Sequence, residues 1–152
     1  MPTLHLGVID QPYDHSSSGQ TTFEVATYLE NKYQIMQAFF VIYEEKIATM
    51  LAENMSRSLV TMIQNGTFGA TENALTLIGT DETMAKIDEM FKNFISSGEA
   101  EQVGIPGTPT QAALDGVNHS FAHPYAKDNP RRVSFRDTGL YRDSFIAWVT
   151  DP

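Results

Sequence analysis

From Gln20 to Asn65 the chain contains neither glycine nor proline. Nothing in this stretch breaks a helix on its own account. Apolar residues recur at Leu29, Tyr33, Met36, Phe40, Tyr43, Ile47, Met50 or Leu51, Met55, Leu59 and Met62, mostly three or four apart. That is the spacing of a helix with one buried side. Thr21 and Glu24 form a capping-box pattern at its start, in which each side chain bonds the other residue's backbone amide. Asn65-Gly66 ends it with a glycine able to take the left-handed cap. As one helix, Thr22 to Asn65 would be about 66 Å long, more than a compact domain of 152 residues accommodates. The stretch therefore predicts either a break, with Asn31 and Asn54 as candidate positions, or a rod that packs on neighbouring subunits.

The remaining elements are shorter. Leu4, Leu6 and Val8 alternate, predicting a strand or an extended arm, and the run from Asp10 to Gly19 has a loop composition. Residues 67–80 are ambiguous, with Thr71–Ile78 readable as helix or strand. Thr80 then caps a helix with Asp81 and Glu82 in its first turn. Met84, Ile87, Phe91, Phe94 and Ile95 form its apolar face, and Gly98 stops it. Thr108-Pro109-Thr110-Gln111 reads as a second capping box with proline at the first helical position, opening a short helix from Pro109 to Asp115 closed by Gly116. Residues 117–136 read as loop. Asp137-Thr138 caps one turn through Arg142, and Ser144–Thr150 has the aromatic and β-branched content of a strand. The expected class is α+β: helix-dominated, with a long N-terminal helical region and a small β-sheet that includes the C-terminal strand. The expected organisation is one domain over 1–152, with an arm and loop at 1–19, a helical body at 20–103, and a short helix, basic loop and strand at 104–152.

Composition removes several function classes. There is no cysteine, which excludes disulfide scaffolds, cysteine-ligated metals and thiol nucleophiles and fits a reducing compartment. Met1–His5 lacks a basic segment followed by an apolar one, so no secretion signal is expected. The longest apolar run, Ala38–Tyr43, is far too short for a membrane span. The formal charge of −9 disfavours a sequence-reading DNA binder. No phosphate-binding glycine loop, dinucleotide fingerprint or kinase signature is present.

Several possible sites have plainer explanations. His119 and His123 have helical zinc-ligand spacing, but Pro124 follows and the segment reads as loop, so two loop histidines are expected and no metal. Asp14, His15 and Ser16–Ser18 supply triad residue types, yet sequence neighbours do not converge as a relay does. Asn54, Asn65 and Asn118 match the glycosylation pattern by chance. The pairs Glu44-Glu45 and Asp88-Glu89 read as solvated helix faces. Phe39, Phe40 and Tyr43 make the long helix apolar nearly all round, as a core helix or a subunit interface requires.

Charge is unevenly spread. Residues 1–126 carry 5 basic and 15 acidic groups, whereas residues 127–152 carry 5 basic and 4 acidic. Arg131, Arg132, Arg136 and Arg142 flank Phe135, Tyr141 and Trp148. Arginine and aromatic enrichment marks interface cores; a single-strand stacking platform uses the same residue types, but the acidic remainder weighs against it.

Two segments carry a family resemblance. Pro106-Gly107-Thr108-Pro109-Thr110-Gln111-Ala112-Ala113-Leu114-Asp115-Gly116-Val117 and Arg131 through Val149 resemble small virion structural proteins of tailed bacteriophages. Asp137-Thr138-Gly139-Leu140, with Ser144 and a hydrophobic strand after it, is similar to the Thr-Gly-x-Leu…Ser segment of their tail-completion proteins. The resemblance implies a tail terminator or head-tail connector, a ring of six or twelve copies at the neck of the virion, made in the host cytoplasm, with other neck and tail proteins as partners. It implies no enzyme activity, no cofactor and no membrane. Arg131, Arg132, Arg136, Tyr141, Arg142 and Trp148 are then the expected interface residues, and Arg131→Glu with Arg132→Glu is expected to block assembly without unfolding the subunit. Six copies at −9 each would carry −54, and an acidic bore would let DNA pass without specific binding. The competing readings are a decoration or minor capsid protein of the head, and a cytosolic helical adaptor that takes a partner's amphipathic helix.

Overall fold

The computed structural model describes residues 2–14, 19–67 and 81–150. The chain is α+β. In order, its described elements are strand β1 (Thr3–Val8), helices α1 (Thr22–Tyr33), α2 (Ile35–Asn65), α3 (Asp81–Ser96), α4 (Glu99–Gln102), α5 (Gln111–Leu114) and α6 (Leu140–Asp143), and strand β2 (Phe145–Thr150).

The long helical stretch does break, but at Gln34, not at Asn31 or Asn54. Gln34 takes the left-handed conformation, φ 52°, a rare state for a residue with a side chain. The side chain of Glu30 makes it affordable. Its carboxylate oxygens accept from the backbone amides of Met36 at 2.9 Å and Gln37 at 3.1 Å, which are first-turn donors of α2 without intrahelical partners. A carboxylate there also meets the positive end of the helix. Asn31 lies inside α1 and Asn54 inside α2. Past the break, α2 still runs 31 residues, about 46 Å.

At the other boundaries, Thr21 and Glu24 form the expected reciprocal cap of α1. Gly66, at φ 68°, closes α2 onto the carbonyls of Met62 and Ile63. The expected cap at Thr80 and the ambiguous Thr71–Ile78 fall outside the described residues, as do His15–Ser18. The second capping box is displaced. Thr108 instead donates its hydroxyl to the Ile105 carbonyl at 2.6 Å, Pro109 follows a cis bond, and Thr110 is the residue that caps α5, accepting from the Ala113 amide.

The core lies where α2, α3 and the sheet meet. Ile35, Phe39 and Ile47 face it from α2, and Ile87, Phe91, Phe94 and Ile95 from α3. Phe91 stacks on Phe145 of β2 with ring centroids 3.9 Å apart, and Phe39 meets Phe91 edge-on at 5.3 Å. The two strands pair antiparallel, Thr3 opposite Thr150 through Val8 opposite Phe145. Leu4, Leu6 and Val8 turn toward the core together with Phe145 and Ala147. Two strands alone are marginal in water, and α3 supports this pair directly. Asp88 accepts from the Ala147 amide at 2.7 Å, which closes a donor that β1 does not reach. Asp88 is thus a strand anchor rather than a solvated face, and burial raises its pKa; Glu89, Glu44 and Glu45 are exposed as expected.

Candidate functional site

The segment from Gly98 to Gly139 holds little regular structure, yet polar side chains fix its course. Glu101 of α4 takes three donors: the amide and hydroxyl of Ser134, each at 2.7 Å, and the Arg131 guanidinium at 3.1 Å. Burial pushes the Glu101 carboxyl up, but these donors outweigh it and hold the pKa below the ordinary value. The Ser134 hydroxyl also accepts from the Thr110 amide at 2.9 Å, so one serine ties α4 to α5. Gly116, at φ 70°, lets the chain pass so close that an added Cβ would sit 2.5 Å from the Asn129 carbonyl oxygen.

Asp137 makes a similar junction. One oxygen accepts from the His119 amide at 2.7 Å, and the other lies 2.5 Å from His119 Nδ1. With Asp137 as the acceptor, Nδ1 carries a proton, and the Tyr125 hydroxyl lies 3.0 Å from Nε2. His119 is thereby oriented by a carboxylate. His123 is exposed and gives its carbonyl to Asn129. Among the described residues no group of three or more histidines, aspartates and glutamates is placed to hold a metal.

These junctions shape two adjoining hollows, the larger between α1 and the loop and the smaller within residues 118–142. The larger, about 650 Å³, has aromatic and aliphatic walls from Val25, Tyr28, Leu29, Tyr33, Phe135 and Tyr141, with Tyr13 also lining it. Burial first, and then Asp137 nearby, pushes the Tyr13 phenol up to about 12. Tyr141 is only 4% exposed, and its hydroxyl finds no hydrogen-bond partner among the described residues. Leaving such a group unpaired costs about 1–3 kcal/mol. The smaller hollow, about 340 Å³, is lined by Arg132, Arg136 and Arg142 together with Asn118 and Thr138.

The six residues expected at an interface divide sharply. Arg131 is tied to Glu101. Arg132 is half-buried, with its guanidinium donating to the backbone carbonyls of Val117 and Val133. Burial lowers its pKa and Asp137 partly restores it. Arg142 bonds Asp143 at 2.7 Å and Ser96 at 3.0 Å. Tyr141 belongs to the core cluster, so its ring serves the subunit's own packing. Trp148 stacks on His5 across the strand pair, centroids 5.2 Å apart, and retains 38% exposure. Arg136 is exposed. Reversing Arg131 and Arg132 together would therefore set carboxylates against Glu101 and against two backbone carbonyls, and would disturb the fold of the subunit itself.

Sequence reasoning did not single out Glu101, Ser134 and Asp137 as organisers. Their bonds span 18 to 33 residues, and no local pattern announces them. Another feature was legible in part. The side of α2 turned away from the core carries Val41, Ile42, Ala48, Ala52, Val60 and Ile63, all exposed; Val41 keeps 64% and Ile63 63% of its surface. The all-round apolar character of Ala38–Tyr43 pointed to this second face.

Comparison with known proteins returned no match to any family model, curated protein or solved structure.

Proposed function

We propose that the chain is a structural subunit that assembles with copies of itself, as a ring of six or twelve at the head-tail neck of a tailed bacteriophage. The observation that carries the assembly is the outward face of α2. Its spacing follows the helical repeat, Val41, Ile42, Val60 and Ile63 stand on it beside the small Ala48 and Ala52, with Glu45 and Thr49 as polar members, and it extends most of the helix's length. Monomers seldom leave so long an apolar stripe to water, and a stripe of this kind packs well against another helix. A ring contact is heterologous, with one surface meeting a different one on the next copy. Trp148, 38% exposed, is available for the complementary surface. The placement at the neck rests on the resemblance of residues 106–117 and 131–149. The acidic charge supports a bore through which DNA passes without specific binding. No helix among the described residues is long and apolar enough to cross a membrane.

Light scattering of the purified protein tests the assembly. The expected result is a closed oligomer, and Val41→Glu with Ile63→Lys should yield monomers of unchanged helicity. A wild-type chain that stays monomeric at all concentrations and binds an amphipathic peptide through the same face would replace this reading with the adaptor. Labelled particles seen by electron microscopy with the protein on the head shell, not at the neck, would make it a decoration protein.

A further inference from the structure

The loop half of the molecule has a second capacity, independent of self-assembly. We infer that the two adjoining hollows form one binding site for a small aromatic anion, a ligand with a flat apolar body and a phosphate or carboxylate group at one end. The hollows are continuous in composition. Ser120, Arg132, Asp137, Thr138 and Gly139 line both. Their volumes, about 650 and 340 Å³, are those of small-molecule sites.

The larger hollow supplies the surface for a flat body. Tyr28, Tyr33 and Phe135 line it with aromatic rings, and Leu29 and Leu140 lie between them. Rings prefer offset or edge-on partners of their own kind, which favours an aromatic occupant over a branched aliphatic one.

The smaller hollow supplies the charge. Arg132, Arg136 and Arg142 line it in a chain whose formal charge is −9. Asp137 lines both hollows and Asp14 and Asp143 the larger one; Asp143 pairs with Arg142, which leaves Arg132 and Arg136 as the cations that would meet an anion. Arg132 is fixed by carbonyls, which orient it without neutralising it. No hydrogen bond or ion pair occupies Arg136 among the described residues. Guanidinium groups held in this way suit phosphate and carboxylate oxygens, which accept their N–H donors in pairs.

Isothermal titration of the full chain with phenyl phosphate, benzoate, inorganic phosphate and benzyl alcohol tests the site. Phenyl phosphate or benzoate should bind at one site per chain, at least about tenfold tighter than inorganic phosphate or benzyl alcohol; the stronger of the two identifies the headgroup. Arg136→Ala should weaken binding about tenfold, an effect of one charged hydrogen bond, with the thermal midpoint unchanged because the side chain is exposed and unengaged. Failure of both aromatic anions to bind, binding of inorganic phosphate as tight as theirs, or indifference to Arg136→Ala would each overturn the inference. None of these outcomes depends on whether copies of the chain associate.

Discussion

The two halves of the molecule are ordered by different forces. Around Phe39, Phe91, Phe94 and Phe145 the chain is held by area removed from water, and backbone hydrogen bonds are met inside regular elements. Between Gly98 and Gly139 there is little apolar area to bury. There, single carboxylates and hydroxyls collect backbone donors from distant segments. Hydrophobic packing is spread over many contacts, whereas the loop depends on a few residues, each of which fixes several strands of chain at once. The first kind of order follows from periodicity and the second from individual partnerships.

Substitutions can break this contrast, and the largest effect is expected in the core. Phe91→Ala removes a ring that touches both α2 and β2 and should cost about 3–5 kcal/mol in urea denaturation, with the whole chain losing stability together. If only the sheet melted, the core would not be the single unit described.

Glu101→Gln should cost about 1–3 kcal/mol, and its loss of hydrogen-exchange protection should concentrate at residues 131–139. Its pH dependence has a definite sign. The Glu101 pKa is depressed in the folded protein, so its contribution is present above the ordinary carboxylate value and is lost as pH falls through the folded value. Glu101→Gln should therefore flatten the acid limb of the stability curve. An unchanged acid limb would show that the loop does not hang on this carboxylate.

Thr21→Ala should cost about 0.5–2 kcal/mol through loss of the α1 cap, measured by thermal unfolding. The smallest effect is expected at Asp88, where the two ordering principles meet. Asp88→Asn keeps an oxygen for the Ala147 amide and removes a carboxylate whose pKa burial raises. Near neutral pH it should be neutral or slightly stabilising, while Asp88→Ala, which orphans the amide, should destabilise by about 1 kcal/mol. Equal losses in both variants would mean that the charge itself anchors β2.

The candidate site was legible only as composition. The excess of arginine and aromatic residues after Lys127 marked the region, but the sequence assigned all six residues to one outward surface. The structure instead turns Tyr141 inward and ties Arg131 and Arg132 to the subunit. Arg136, Arg142 and Arg132 are brought around one hollow by the Asp137–His119 junction, which no spacing rule reveals.

The sequence by itself determined the helices with clear periodicity, the Thr21–Glu24 cap, the Gly66 stop, the strand at 145–150 and the apolar second face near Val41. Each of these depends on interactions within a few residues, where chain geometry fixes who meets whom. The break at Gln34, the pairing of β1 with β2, the anchoring of β2 by Asp88 and the course of the loop were decided by the tertiary structure. Those features need partners that the chain brings together only after folding, and a side chain such as Glu30 or Asp137 shows nothing in sequence of which amide it will finally accept.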